Sequence, residues 1–585
     1  MANVNIKING VDYEVEAGIT VLEAARQAGV NIPTLCYLKG INEIGACRMC
    51  VVEVKGAKGL VTACVYPVNE GMEITTTSPR VLHSRKKNLQ LLLSNHNREC
   101  TACVRSGACE FQELCQRYGI TEDSIYQGEK PVYDLDKSAV HMIRDNNKCI
   151  LCRRCTAVCE KNQGIGVIGV NERGFRSYVG SPFNMLLGET ACVNCGQCIN
   201  ACPTGALYEK SNVDDVFAAI ADPDKVVCCQ VAPSVRASLG EAFGNPIGKG
   251  VEGQMATALK LLGFDKVFDT NFAADLTIVE EATELIDRVS NNGKLPLITS
   301  CSPGWVKYCE TYHPDFIDNL STCKSPQQMQ GAVLKSYYAE KAGIDPSKIV
   351  SVSFMPCTAK KFEIGRDDQA GSGYPDVDYA LTTRELATMI KQSGIDFNSL
   401  PEGTFDDPIG ESTGAGVIFG ATGGVMEAAL RTAVEKITGE TLPDVDFVDV
   451  RGTDGIKEAS YKVGDMDISV CVASGLANAN KVLEMVRNGE KNYLFIEIMC
   501  CPGGCVNGGG QIRVKADDYN FTDVKKLRAE ALYQLDKDRP LRKSHENPSI
   551  IKLYDEYLGH ARSHKAHKLL HTSYVARPMY TAKKR

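Results

Sequence analysis

Two runs of cysteine, Cys149, Cys152, Cys155, Cys159 and Cys192, Cys195, Cys198, Cys202, hold the most regular chemistry in this chain of 585 residues. Each is C-x2-C-x2-C-x3-C, and Pro203 closes the second. This spacing wraps three thiolates around one 4Fe-4S cubane and sends the fourth to a neighbouring cubane. One ligand set is therefore Cys149, Cys152, Cys155 and Cys202; the other is Cys192, Cys195, Cys198 and Cys159. Zinc ribbons also use C-x2-C pairs, but two complete four-cysteine runs favour iron.

Two more groups precede them. Cys36, Cys47, Cys50 and Cys64 are spaced C-x10-C-x2-C-x13-C, which departs from the plant-type run but suits a 2Fe-2S cluster, with structural zinc as the alternative. His96, Cys100, Cys103 and Cys109 form a set with one imidazole. As a 4Fe-4S site it carries less negative charge than four thiolates and should have a raised potential. Zinc accepts Cys3His as well, and a lone histidine in a polar segment is ordinarily solvated. The position between two iron-sulfur segments favours iron. The expected accessory set is one 2Fe-2S and three 4Fe-4S clusters.

The elements that must position these ligands follow from local pattern. A strand-like Asn-Val-Asn-Ile-Lys-Ile from residue 3 and a helical Thr-Val-Leu-Glu-Ala-Ala-Arg from residue 20 fit a small β-grasp ferredoxin-like domain over residues 1–78. The His/Cys module occupies 79–125, an acidic, turn-rich connector spans 121–137, and the two-cubane ferredoxin domain spans 138–209. From about 222 to 540 apolar strands, such as 225–232 and 348–354, alternate with helical stretches such as 427–434, the pattern of a large α/β domain. Residues 541–585 form a terminal segment. The fold class is thus α/β and α+β, multidomain, consistent with a length prior of about four domains.

Net charge is −7 with both signs interspersed, which leaves no nucleic-acid footprint. The basic stretch 561–585 reads as a solvated face or a partner contact. There is no apolar run of the ~18 residues a membrane span requires, and no export signal. With 26 cysteines this predicts reduced, metal-binding thiols in the cytoplasm.

Three segments of the large domain carry a more specific pattern: Thr-Ser-Cys-Ser-Pro-Gly-Trp at 299–305, Met-Pro-Cys-Thr-Ala-Lys-Lys-Phe-Glu at 355–363, and Glu-Ile-Met-Cys-Cys-Pro-Gly-Gly-Cys-Val-Asn-Gly-Gly-Gly-Gln at 497–511. They resemble the signatures of the iron-only (FeFe) hydrogenases, in the long form that serves as the catalytic subunit of NAD(P)-linked, often electron-bifurcating, complexes. The resemblance covers essentially the whole chain, and it implies an H-cluster: a 4Fe-4S cubane bridged by a cysteine sulfur to a di-iron centre carrying CO, cyanide and a dithiolate amine. It implies Cys357, Cys501 and Cys505 as cubane ligands, with Cys505 the bridge, and Cys301 as the proton-passing thiol. Lys360 would pair with one cyanide and Pro233 and Ser234 would hold the other. Ser325 and Gln327 would add polar contacts, and Met355, Phe419 and Met499 apolar walls. The proton route would be Cys301, Glu281, Ser321, Glu284, Arg288. The two glutamates share a face if 275–288 is helical, although such a pair is ordinarily solvated. Without the resemblance the wall residues read equally well as core.

One departure stands out. The family usually has a second, ligating cysteine where this chain has Ser302; Ser302 itself, Cys301 or the extra thiol Cys500 could complete the cubane. Thiolate is the softer partner for cluster iron. The glycine-rich stretch 414–424 is G-x-G-x-x-x-G, not the dinucleotide fingerprint. NAD(P) reduction would therefore need a flavoprotein subunit, with a small 2Fe-2S subunit and ferredoxin as further expected partners, alongside H2 and protons. The terminal segment resembles the family's small subunit, here fused. The competing readings are a standalone ferredoxin-linked hydrogenase, a hydrogen sensor, and a non-catalytic iron-sulfur assembly protein.

Overall fold

The structure, a computed structural model, describes residues 2–121, 126–464 and 466–581. Residues 122–125, where the expected His/Cys module ends and its connector begins, and the last four residues of the basic tail lie outside the described residues. Among the described residues no helix is long and apolar enough to cross a membrane.

At the amino terminus a five-stranded sheet packs on the helix Val21–Gln27. Strand Asn3–Ile8 pairs antiparallel with Val11–Glu16 and parallel with Glu73–Thr75, the β-grasp arrangement. Thr20 caps the helix through a reciprocal bond with Glu23, satisfying two amide donors that the helix cannot satisfy itself. Leu22, Ala24, Ile6 and Cys64 share the resulting core.

The long helix Pro79–Asn95 leads to the His/Cys module. Leu89 of this helix packs in one apolar cluster with Cys36, Phe111 and Cys152, to which Cys109 is appended. Residues expected from the sequence to serve three cluster sites are thereby held in a single core. The Asn42 amide ties two of them at the backbone, donating to the carbonyls of Cys36 (2.7 Å) and Cys152 (3.0 Å).

The large domain contains two four-stranded sheets, one ordered Lys266–Asp269, Val226–Val231, Ile349–Met355, Tyr379–Thr382, the other Leu297–Ile298, Phe495–Met499, Met466–Ser474, Ile456–Val463. The first is parallel throughout; the second is parallel except for its last pair. Strand Val226–Val231 is buried over nearly its whole length, as expected for a strand covered on both faces.

Between the sheets runs the helix Thr270–Ser290, capped by Asp269. It carries Glu280, Glu281 and Glu284, all at most 2% exposed. The helix was expected; the solvated face that such a glutamate pair ordinarily makes is not found. Tyr554, Arg562 and His571 of the terminal segment close over Glu280, while Arg288 and Thr322 hold Glu284.

That segment also corrects the reading of 561–585 as a solvated face. Ala566, Leu569 and Leu570 of the helix His564–Leu570 are buried in one core with Phe268 and Tyr338. Arg577 pairs with the buried Glu310. Lys and His residues on the outer face mask the apolar stripe in the composition.

Candidate active site

Four chain turns leave the carboxyl ends of parallel strands and converge, the position at which open parallel sheets bind ligands. Val226–Val231 runs into Ala232-Pro233-Ser234, and Ile349–Met355 into Pro356-Cys357. Leu297–Ile298 runs into the turn holding Cys301, and Phe495–Met499 into Cys500 and Cys501.

They enclose a cavity of about 80 Å³. Its thiols are Cys195, Cys301, Cys357, Cys500, Cys501 and Cys505, and Pro233, Gln327, Met355, Phe419 and Met499 contribute to walls that are mainly apolar. Ser234 also lines it, and its hydroxyl is buried with no hydrogen-bond partner. An orphaned buried hydroxyl is costly, so the cavity has room and donors for an anionic ligand.

Lys360 projects into the same cavity. Its ammonium donates to the Glu363 carboxylate at 2.8 Å, to Ser325 Oγ at 2.7 Å and to the Cys301 carbonyl at 3.3 Å. Glu363 also accepts from Ser325 Oγ (2.8 Å) and Gln327 Nε2 (3.0 Å). Ser325 therefore stands behind the wall, while Gln327 reaches it. Several buried thiols, one buried cation and an unfilled hydroxyl fit an iron-sulfur group with anionic ligands: thiolate suits cluster iron and a charged donor suits anions.

Beyond Cys301 lies a line of polar side chains. Burial, reinforced by the charges of Glu284 and Glu497, pushes the Glu281 carboxyl up to about 8, against the Ser321 contact and the charge of Arg288. Ser321 Oγ donates to Glu284 Oε2 at 3.4 Å, and Arg288 clamps Glu284 Oε1 at 2.6 Å from one guanidinium nitrogen and 3.1 Å from another. Arg288 lies near the surface, bonding the carbonyls of Asp318 and Leu320. Glu281, Ser321, Glu284 and Arg288 thus follow one another in contact, and the Glu281 charge is felt at the Cys301 thiol.

Sequence reasoning passed over three neighbours of this line. His571 faces Glu280 at 3.2 Å and Thr322 Oγ1 at 2.8 Å, and Cys323 Sγ lies 3.9 Å from Glu284. Glu363 was inside a quoted motif, and its i, i+3 spacing from Lys360 was the available signal. For His571 the signal was the His567–His571 spacing; the rings stack with centroids 4.8 Å apart. Cys323 had none.

The accessory ligands also gather. Cys50 and Cys64 have sulfurs 3.3 Å apart, and Cys36 touches Cys47. Cys149 and Cys152 both face Cys202, whereas Cys159 faces Cys192 and Cys195, the crossed arrangement of two cubanes. His96 Nδ1 is buried without a partner, and burial drives the imidazole down to about 4, which keeps it in the neutral form that binds metal.

The two-cubane domain meets the large domain at the glycine-rich turn. Gln197 Nε2 donates to the Asn507 carbonyl and Asn200 Nδ2 to that of Gly508, both at 2.8 Å. Thr358 Oγ1, next to Cys357, donates to the Asn194 carbonyl at 2.7 Å.

Comparison with known proteins agrees with this layout. Residues 225–509 match the family model "iron only hydrogenase large subunit, C-terminal domain", and 522–577 match "iron hydrogenase small subunit". Residues 1–79 match a 2Fe-2S iron-sulfur cluster binding domain, 85–124 the NADH-ubiquinone oxidoreductase-G iron-sulfur binding region, and 148–206 a 4Fe-4S dicluster domain. The chain is 51% identical to the NADP-reducing hydrogenase subunit HndD of Solidesulfovibrio fructosivorans, over 99% of this chain and 100% of that one. It is 43% identical to iron hydrogenase 1 of Clostridium pasteurianum, over 97% and 99% of the two chains. A solved structure of the FeFe-hydrogenase HydA1 of Chlamydomonas reinhardtii, a single-site variant, is 45% identical over 63% of this chain and 99% of its own, with a TM-score of 0.56. Similarity at this level, extending along the full length of both chains, makes this protein a member of the iron-only hydrogenase family.

Proposed function

We infer that this iron-only hydrogenase is the hydrogen-converting subunit of an NADP-linked complex, interconverting H2 with protons and electrons. The observation that carries the chemistry is the convergence of Cys357, Cys501 and Cys505 with Lys360 and the unpartnered Ser234 hydroxyl on one cavity. The NADP link rests on similarity to HndD along the full chain.

Cys357, Cys501 and Cys505 would hold the H-cluster in this cavity. When bound, its di-iron centre supplies an open metal position for polarising dihydrogen. The chain's own groups do the remainder. The Lys360 ammonium would hold one cyanide, and Pro233 and Ser234 the other. Met355, Phe419 and Met499 would exclude water, strengthening the fixed dipoles around the site.

Cys301 would exchange a proton at Sγ with the site, and Glu281 would take it onward. A carboxyl raised to about 8 holds its proton at neutral pH and releases it at small cost, the property wanted of a relay. Ser321, Glu284 and Arg288 would carry the exchange to the surface.

Electrons would run from the site through the cubane of Cys192, Cys195, Cys198 and Cys159 to that of Cys149, Cys152, Cys155 and Cys202. There the path would fork to the His96 cluster and the 2Fe-2S cluster, whose ligands share one core with Cys152. Two ends suit two partners: a flavoprotein NADP-binding subunit, with a small 2Fe-2S subunit, and a ferredoxin. All the cysteines are free thiols, as cluster binding requires and as a reducing cytoplasm maintains.

The test is purification of the complex from its native host. Co-elution with a flavin subunit, and H2-dependent reduction of NADP by the complex but not by the chain alone, would support this reading. An isolated chain that reduces only ferredoxin would replace it with the standalone enzyme.

A further inference from the structure

The cubane in the active-site cavity needs a fourth ligand, and position 302 offers only a serine. We propose that Cys500 supplies the fourth thiolate, taking the role that a cysteine at 302 would have; this rests on the hydrogenase reading above.

Three observations carry it. Cys500 lines the same cavity as Cys357, Cys501 and Cys505, and its thiol is in contact with those of Cys501 and Cys195. Ser302 Oγ is already engaged, accepting the backbone N–H of Cys500 at 3.2 Å. That bond holds Cys500 against the turn in which a ligand is missing. The room for its sulfur comes from Gly304, where a Cβ would stand only 2.7 Å from Cys500 Sγ.

The other two candidates are less suited. A serine oxygen is a harder donor than cluster iron prefers, and it would have to lose a hydroxyl proton while accepting the Cys500 amide. Cys301, like Cys505, packs against the cluster of Ala274, Ile278 and Phe419, but its thiol lies in the field of Glu281, at the head of the proton line. Cys500 instead packs with Val193 and Trp305, beside Cys195.

Ligation forms one sulfur–iron bond and releases the Cys500 thiol proton to solvent, with no change in electron count. One consequence follows for the wire. Cys195 belongs to the neighbouring accessory cubane, so the fourth ligand would also be the sulfur that touches the next cluster.

The experiment uses the full chain made without the H-cluster maturation machinery, so that the 2Fe-2S and 4Fe-4S clusters load but the di-iron centre does not. Iron per chain and the electron paramagnetic resonance spectrum are measured for wild type, Cys500→Ala, Ser302→Ala and the double variant Ser302→Cys with Cys500→Ala. The proposal expects Cys500→Ala to lose one cubane, about four iron atoms, while the accessory signals persist and report an intact fold. It expects Ser302→Ala to keep its iron and the double variant to recover the lost cubane. Full iron in Cys500→Ala, or loss that the double variant does not restore, would overturn it. Wild type lacking this cubane altogether would instead overturn the hydrogenase reading.

Discussion

The carbonyl oxygen of Cys195 lies 2.0 Å from where a Cβ on Gly509 would stand. Cys195, the proposed ligand of an accessory cubane, thus rests directly on the glycine-rich turn of the candidate active site, with no room for a methyl group between them. Both atoms that meet are backbone, so the clash cannot be relieved by turning a side chain. Gly509→Ala should push the ferredoxin domain off its seat. The expected result is dye-linked hydrogen evolution at least tenfold below wild type, with accessory-cluster resonances intact. Wild-type turnover would mean that this contact is not on the electron path.

Glu281 sets the pH behaviour. Its carboxyl is raised to about 8, so it is protonated at pH 7 and ionises as pH rises through that value. Hydrogen evolution consumes protons delivered by the acid form and should therefore decline above about pH 8. Glu281→Gln cannot release a proton and should lower turnover by about 10²-fold or more, with unchanged CO and cyanide infrared bands. Glu281→Asp should keep the shape of the pH profile. Retention of near wild-type turnover in Glu281→Gln would remove this residue from the route.

Lys360 and Glu363 separate structure from chemistry. Replacing Lys360 by Gln leaves the Glu363 carboxylate buried without its cation and should cost about 3 kcal/mol, read as a lowered Tm. The double variant Lys360→Gln with Glu363→Gln removes both charges and should recover most of that stability. Neither variant should show the cyanide bands of wild type after maturation. Normal bands in the double variant would show that Lys360 acts only through the fold.

His96 tunes a potential. Its neutral imidazole, buried and with Nδ1 free, would as the proposed ligand contribute no negative charge to the cluster. His96→Cys should keep the cluster and lower its midpoint potential in a redox titration, because a thiolate adds negative charge. A potential that does not move would mean that His96 is not a ligand.

What could be read from the chain was whatever is local. The spacing of Cys149 through Cys202 implies crossed cubanes because ligand geometry repeats over a few residues. The 275–288 helix was legible for the same reason. Less local features stayed hidden. The burial of Glu280 depends on Tyr554 and His571, more than 270 residues away, which close over the helix. Cys323 beside Glu284, and the facing of Cys500 and Ser302, likewise come from turns on separate strands. Charge misled as well: the basic terminal segment looked solvated, yet Leu569 and Leu570 are core.

The central claim is an H-cluster in the cavity of Cys357, Cys501 and Cys505. Its most direct test is the infrared spectrum of the anaerobically matured chain under hydrogen, recorded together with hydrogen evolution from reduced viologen. The predicted result is CO and cyanide bands accompanied by turnover. Absence of both, with the accessory clusters intact, would contradict the account and leave a non-catalytic iron-sulfur protein.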